Sequence, residues 1–178
     1  MKSDLQMPTT QAEVSELSDF QKILLRTNGS ITYLLETHLS EPIQLVKLSE
    51  YLEEVETKLP NIRSNRGEKV LAREVLLQGK ISCRNFIYAN SRIFIDNLEQ
   101  QFSDKLLNSK IPIGKLWSEQ KVETYKEIID SGKERANELS NYFSIDPKEN
   151  LFFRTYSVFS QKKLTMVITE KFPESYFC

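Results

Sequence analysis

Leu71-Ala72-Arg73-Glu74-Val75-Leu76-Leu77 alternates like a β-strand, yet places a charge where such a strand keeps its core. Successive strand side chains point to opposite faces, so Leu71, Arg73, Val75 and Leu77 share one face. A guanidinium keeps its proton inside a protein, and removing it from water is costly unless an anion and hydrogen-bond acceptors receive its fork. On this reading Arg73 has a buried partner or a ligand. The opposite reading turns the strand over: Val70, Ala72 and Leu76 face the core, Glu74 is the charge on that inner face, and Arg73 meets solvent. Periodicity within the stretch does not choose between them.

A second stretch does. Leu164-Thr165-Met166-Val167-Ile168-Thr169-Glu170 also alternates, and its more apolar face, Leu164, Met166 and Ile168, ends in Glu170. One strand brings a cation to an apolar interior and another brings an acid, which is how a small enclosed pocket grips a polar ligand at two ends. A buried ion pair with no ligand has the same signature.

Composition narrows the class. The chain has 178 residues, 39% hydrophobic and 28% charged, enough for one domain with a real core. A net charge of -1 gives no electrostatic reason to expect nucleic acid or an anionic membrane as partner. Cys83 and Cys178 are too few for a disulfide framework and show no metal-ligand spacing, and His38 is the single histidine, so neither a zinc site nor a Cys-His catalytic site is expected. No apolar run reaches membrane-spanning length and Met1 to Asp19 lacks a signal-peptide core, which leads to the expectation of a protein that stays where it is made.

Along the chain, residues 1–18 are polar and are expected to form a flexible extension, with a single domain over residues 19–178. Asn28-Gly29-Ser30 is a turn that places Ser30 to cap a helix carrying Ile31, Leu34, Leu35 and His38, which Pro42 ends. Ile43 to Leu48 reads as a strand and Lys58 to Lys69 as a loop. Gln78-Gly79-Lys80 turns the chain into a second arm, Ile81 to Asn90, in which Cys83 reads as a small core residue. Asp96 to Leu107 has helical spacing, Pro112 opens a short turn or helix with Trp117 as packing, Val122 to Ile129 reads as strand, and Gly132 to Phe143 as a charged amphipathic helix. Leu151 to Ser160 and Lys163 to Phe172 form a hairpin around Gln161-Lys162. Paired strands with helices on one side predict an α+β fold with an antiparallel sheet.

These pieces, in this order, resemble the chorismate pyruvate-lyases and their plastid and cyanobacterial relatives: Leu24-Leu25 with Gly29-Ser30-Ile31-Thr32 and Leu35-Glu36; the Arg73 stretch; Tyr88-Ala89-Asn90-Ser91; Ile111-Pro112-Ile113-Gly114; and Arg154-Thr155-Tyr156 followed by Ile168-Thr169-Glu170-Lys171-Phe172-Pro173. The resemblance implies the chorismate lyase-like fold and removal of pyruvate from chorismate to leave 4-hydroxybenzoate for quinone biosynthesis, without metal or cofactor. Carried over, Arg73 binds the ring carboxylate, Glu170 hydrogen-bonds the ring hydroxyl and serves as the acid, and Ile31 and Ile113 line the pocket. The chain departs from the bacterial pattern after Gly79, where Ile81-Ser82 replaces a Pro-Trp pair, and at Phe86, where an arginine is usual; Arg84 is expected to substitute. With 16 Lys to 8 Arg and only 4 Ala, the composition points to an AT-rich genome and, with the resemblance, to a plastid stroma, the alternative being a bacterial cytoplasm. The alternative function is a non-catalytic domain binding an aromatic carboxylate, as effector-sensing domains of this fold do.

Overall fold

The computed structural model describes residues 16–55 and 67–178. In chain order the elements are α1 (Asp19–Arg26), α2 (Ile31–Leu39), β1 (Ile43–Glu54), β2 (Lys69–Gly79), β3 (Asn85–Phe94), α3 (Gln100–Asn108), α4 (Ile113–Glu119), β4 (Tyr125–Arg135), a single helical turn α5 (Ser140–Phe143), β5 (Asn150–Ser160) and β6 (Lys163–Pro173). The described strands pair throughout as antiparallel neighbours in the order β1-β2-β3-β6-β5-β4. Each half of the chain thus makes a three-stranded meander, and the last strands of the two halves, β3 and β6, zip them together. The fold is α+β and chorismate lyase-like.

The four longer helices cover one face of the sheet. Leu24 of α1 and Ile31 and Leu35 of α2 pack on Leu77, Ile87, Phe152 and Phe172, while Phe102 and Leu106 of α3 and Leu116 and Trp117 of α4 pack on Leu71, Ile93, Tyr156, Met166 and Ile168. Leu24, Leu35, Leu106 and Leu116 are fully buried, each stabilising by roughly 1.5–3 kcal/mol.

Local chemistry explains the turns. Gln161 and Lys162 both adopt left-handed φ, +49° and +64°, the geometry of a two-residue hairpin that matches strand twist. Ser18, placed by composition in the loose extension, is held instead. Its Oγ accepts from the Gln21 backbone at 3.2 Å, the Gln21 side chain accepts from its N–H at 3.0 Å, and Oγ donates to the Phe177 carbonyl. This capping box joins the two ends of the domain. Ser18→Ala should therefore cost about 1 kcal/mol, seen as a melting temperature lower by about 2–4 °C; an unchanged melt would show that the cap adds nothing. Residues 1–15, the rest of the expected extension, lie outside the described residues, as do residues 58–66 of the expected loop.

Three expectations change. The predicted helix over Gly132 to Phe143 is largely strand: β4 runs to Arg135 in continuous pairing with β5, and only Ser140–Phe143 is α-helical. Its charges are cross-strand partners, Lys133 meeting Glu174 at 2.6 Å and Glu134 meeting Lys171 at 2.5 Å. Gly132 leaves room for the Phe153 ring, whose Cε1 would lie 3.1 Å from an added Cβ. The first strand continues to Glu54 because β2 pairs with it that far. Cys83 is exposed, in a left-handed conformation within the β2–β3 turn, not in the core.

Candidate active site

Small residues on β3 make the hollow. Register aligns Arg73, Ser91, Ile168 and Tyr156 across four strands, and in the next row Val75, Ala89, Glu170 and Arg154. Both rows face the helices, and Ser91 and Ala89 leave space between the larger side chains on either side. The N-termini of α2 and α4 close over it: Ser30 and Ile31 from one, Pro112, Ile113 and Gly114 from the other. A Cβ on Gly114 would stand 2.6 Å from Ser30 Oγ, so glycine permits this close approach of the helix ends. The cavity is walled by both apolar clusters, with Ile31 and Leu77 from one and Trp117, Tyr156 and Ile168 from the other.

Arg73 is 2% exposed and faces this space. Glu50 Oε2 lies 3.4 Å from its Nε, but among the described residues none of its three guanidinium nitrogens has a hydrogen-bond partner. Burial pulls the guanidinium below the ordinary arginine range, with Glu50 acting the other way. A buried fork aimed into a cavity with its donors unused is a site for an anion with two oxygens.

Two strands away, about 10 Å at the usual spacing, Glu170 has both oxygens occupied. Arg154 Nε donates to Oε2 at 2.7 Å and the Tyr156 hydroxyl donates to Oε1 at 2.9 Å. Burial, then Glu170, pushes the Tyr156 hydroxyl well above its usual range, so it stays a donor. Arg154, 1% exposed, also donates from Nη1 to the Thr27 carbonyl at 2.7 Å, leaving Nη2 without a partner. Burial opposes its charge, but Glu170 and then Tyr156 outweigh that and hold the guanidinium above the ordinary value. Glu170 is therefore an ion-paired hydrogen-bond acceptor in this geometry.

The remaining charged group at the cavity is Lys126 of β4. Half-buried, it donates to the Gly29 carbonyl at 3.0 Å and stands over the Trp117 and Tyr156 rings at 5.1 and 5.4 Å. Burial lowers its pKa, opposed by Glu170 and reinforced by Arg154.

Residues 25–177 match the family described as chorismate pyruvate-lyase, Rv2949c-like. The chain belongs to this family. Chorismate pyruvate-lyase of Mycobacterium leprae is 28% identical over 169 residues, covering 94% of this chain and 80% of that protein. Chorismate pyruvate-lyase of Mycobacterium tuberculosis is 27% identical over 173 residues, covering 93% and 85%. The effector domain of PhnF from Mycobacterium smegmatis superposes with TM-score 0.64 at 10% identity, over 83% of this chain and 90% of that one, and so shares the fold. These relatives are mycobacterial, so family membership stands apart from the plastid branch expected from composition.

The fold brings together Arg73, Glu170, Ile31 and Ile113 on one cavity, and adds Lys126, Arg154 and Tyr156. Arg84 is not among them. It precedes β3, and its guanidinium lies 3.9 Å from the Tyr176 ring centre on another surface of the molecule. The pocket face of β3 carries Ile87, Ala89 and Ser91, so alternation turns Phe86 and Arg84 to the other face; a bulge between Leu77 and Gln78 also leaves Phe86 without a β2 partner. Among the described residues no cluster of His, Cys, Asp or Glu has a metal-binding arrangement, and no helix is long and apolar enough to cross a membrane.

Proposed function

We propose that this protein is a chorismate pyruvate-lyase, releasing pyruvate from chorismate to leave 4-hydroxybenzoate, a quinone precursor. The observation that carries the reading is the buried Arg73 fork, whose nitrogens have no hydrogen-bond partner among the described residues, facing the Glu170–Arg154–Tyr156 cluster across a cavity lined by Ile31 and Ile113. Arg73 takes the ring carboxylate in a bidentate grip. Glu170 accepts from the hydroxyl at the opposite end of the ring, and the two isoleucines hold the ring plane between helix ends and sheet. The reaction breaks the ether bond to the ring. The ring carbon bearing the hydroxyl gives up its hydrogen, the ring becomes aromatic, and a proton ends on the methyl carbon of pyruvate. Aromatisation drives the step, so the protein's task is to orient the enolpyruvyl group, exclude water and place an acceptor beside the hydrogen that leaves. The bacterial origin of the relatives favours a bacterial cytoplasm over a plastid stroma as the place of action.

A second reading, an aromatic-carboxylate binder without turnover, is supported by the fold shared with regulator effector domains. Purified protein mixed with chorismate separates the two. Equimolar 4-hydroxybenzoate and pyruvate are expected; binding of 4-hydroxybenzoate with no pyruvate released above the uncatalysed rate would leave only the binder.

A further inference from the structure

The ionic inventory of the cavity does not close. Arg154 is matched by Glu170 at 2.7 Å and Arg73 is approached by Glu50 at 3.4 Å, whereas Lys126, which lines the cavity, has the Gly29 carbonyl as its acceptor and no carboxylate in ion-pair contact among the described residues. Lys126 belongs to β4, at the other side of the sheet from Arg73 on β2. The loop between α1 and α2 is laced to this side, since Thr27 and Gly29 offer their carbonyls to Arg154 and Lys126. A positive charge left half-buried over aromatic rings is stabilised by an incoming anion. The cavity therefore presents a second anion position, several ångströms from the first and beside Glu170.

We propose that Lys126 binds a second carboxylate of the ligand, so that the site selects a dicarboxylate over an aromatic monocarboxylate. The inference rests on the lyase reading, in which the substrate carries an enolpyruvyl carboxylate beside its ring hydroxyl and the aromatic product does not. Lys126 is then a specificity residue: it holds the departing three-carbon unit while Arg73 holds the ring. Losing the second carboxylate loosens the aromatic product's hold on this side.

The test is Lys126→Met, which keeps an unbranched side chain against Trp117 and Tyr156 and removes the charge. Affinity for chorismate, and kcat/KM where turnover occurs, should fall on the order of ten- to a hundredfold, the effect appearing mainly in KM. Affinity for 4-hydroxybenzoate should change by less than about threefold, and Lys126→Arg should recover much of the loss. Calorimetry with both ligands reads this even without catalysis. Should wild type bind chorismate more tightly than 4-hydroxybenzoate yet release no pyruvate, the lyase reading fails while the second carboxylate position stands. Should wild type turn over chorismate while Lys126→Met weakens both ligands equally, or neither, the lyase reading stands and this one is overturned.

Discussion

Arg73→Met is expected to fold as well as the parent, or better, and to lose its ligand. The side chain is 2% exposed and its three nitrogens make no hydrogen bond among the described residues, so folding removes a guanidinium from water with little return. A methionine of similar length in the same space removes that cost. Glu50 keeps Lys47 on one oxygen at 2.9 Å, but its buried Oε2 loses the nearby Arg73 charge, which offsets part of the gain. Relief of the Arg73 desolvation, set against the charge lost at Glu50, should leave stability close to the parent's or slightly above it. Affinity for 4-hydroxybenzoate should fall by about 2–5 kcal/mol, the cost of leaving a carboxylate without its charged partner. Arg73→Lys should restore little, since an ammonium offers no fork. Denaturation and calorimetry on the same preparations check both halves. A variant that melts lower and binds normally would make Arg73 a structural residue and remove the anion site.

Glu170→Gln should show the opposite pattern, losing stability as well as turnover. In the parent Glu170 offsets the buried Arg154 and accepts from Tyr156, so the amide leaves a guanidinium without its counter-charge. Breaking such a pair costs about 3–5 kcal/mol at most, less here because the amide oxygen still accepts one bond. A melting temperature several degrees lower is expected, at about 2–4 °C per kcal/mol. A carboxylate that accepts from the ring hydroxyl and assists proton removal should be worth about 10²–10⁴ in kcat. The double variant Glu170→Gln, Arg154→Met separates the effects: stability should return and kcat should not. Wild-type kcat in Glu170→Gln would reduce Glu170 to a contact.

Arg73 and Glu170 were legible as pocket residues because each interrupts an otherwise apolar row on a central strand. In β2 and β6 both flanking ladders are occupied, the helix-facing side is buried, and a charge in that row stands out against Leu71, Val75, Leu77 or Met166, Ile168. Arg154 carries the same mark between Phe152, Tyr156 and Val158, and the alternation that singles out Arg73 points to it too. Lys126 carries no such mark. Its strand is an edge, its neighbours Tyr125, Glu127 and Ile128 are exposed, and a lysine there is indistinguishable in sequence from a solvated one. What makes it part of the site is the curl of β4 under the α1–α2 loop, a contact between residues 29 and 126.

The same division runs through the fold. Period-two alternation, turn residues and motif order sufficed for an antiparallel α+β sheet, the Gln161-Lys162 hairpin and the inward-facing register of Arg73 and Glu170, because each depends on local backbone geometry or on one face of one strand. The strand at residues 125–135 and the recruitment of Lys126 depend on which strands meet and at what register. Those choices are made by partners tens of residues away, so only the packed sheet decides them.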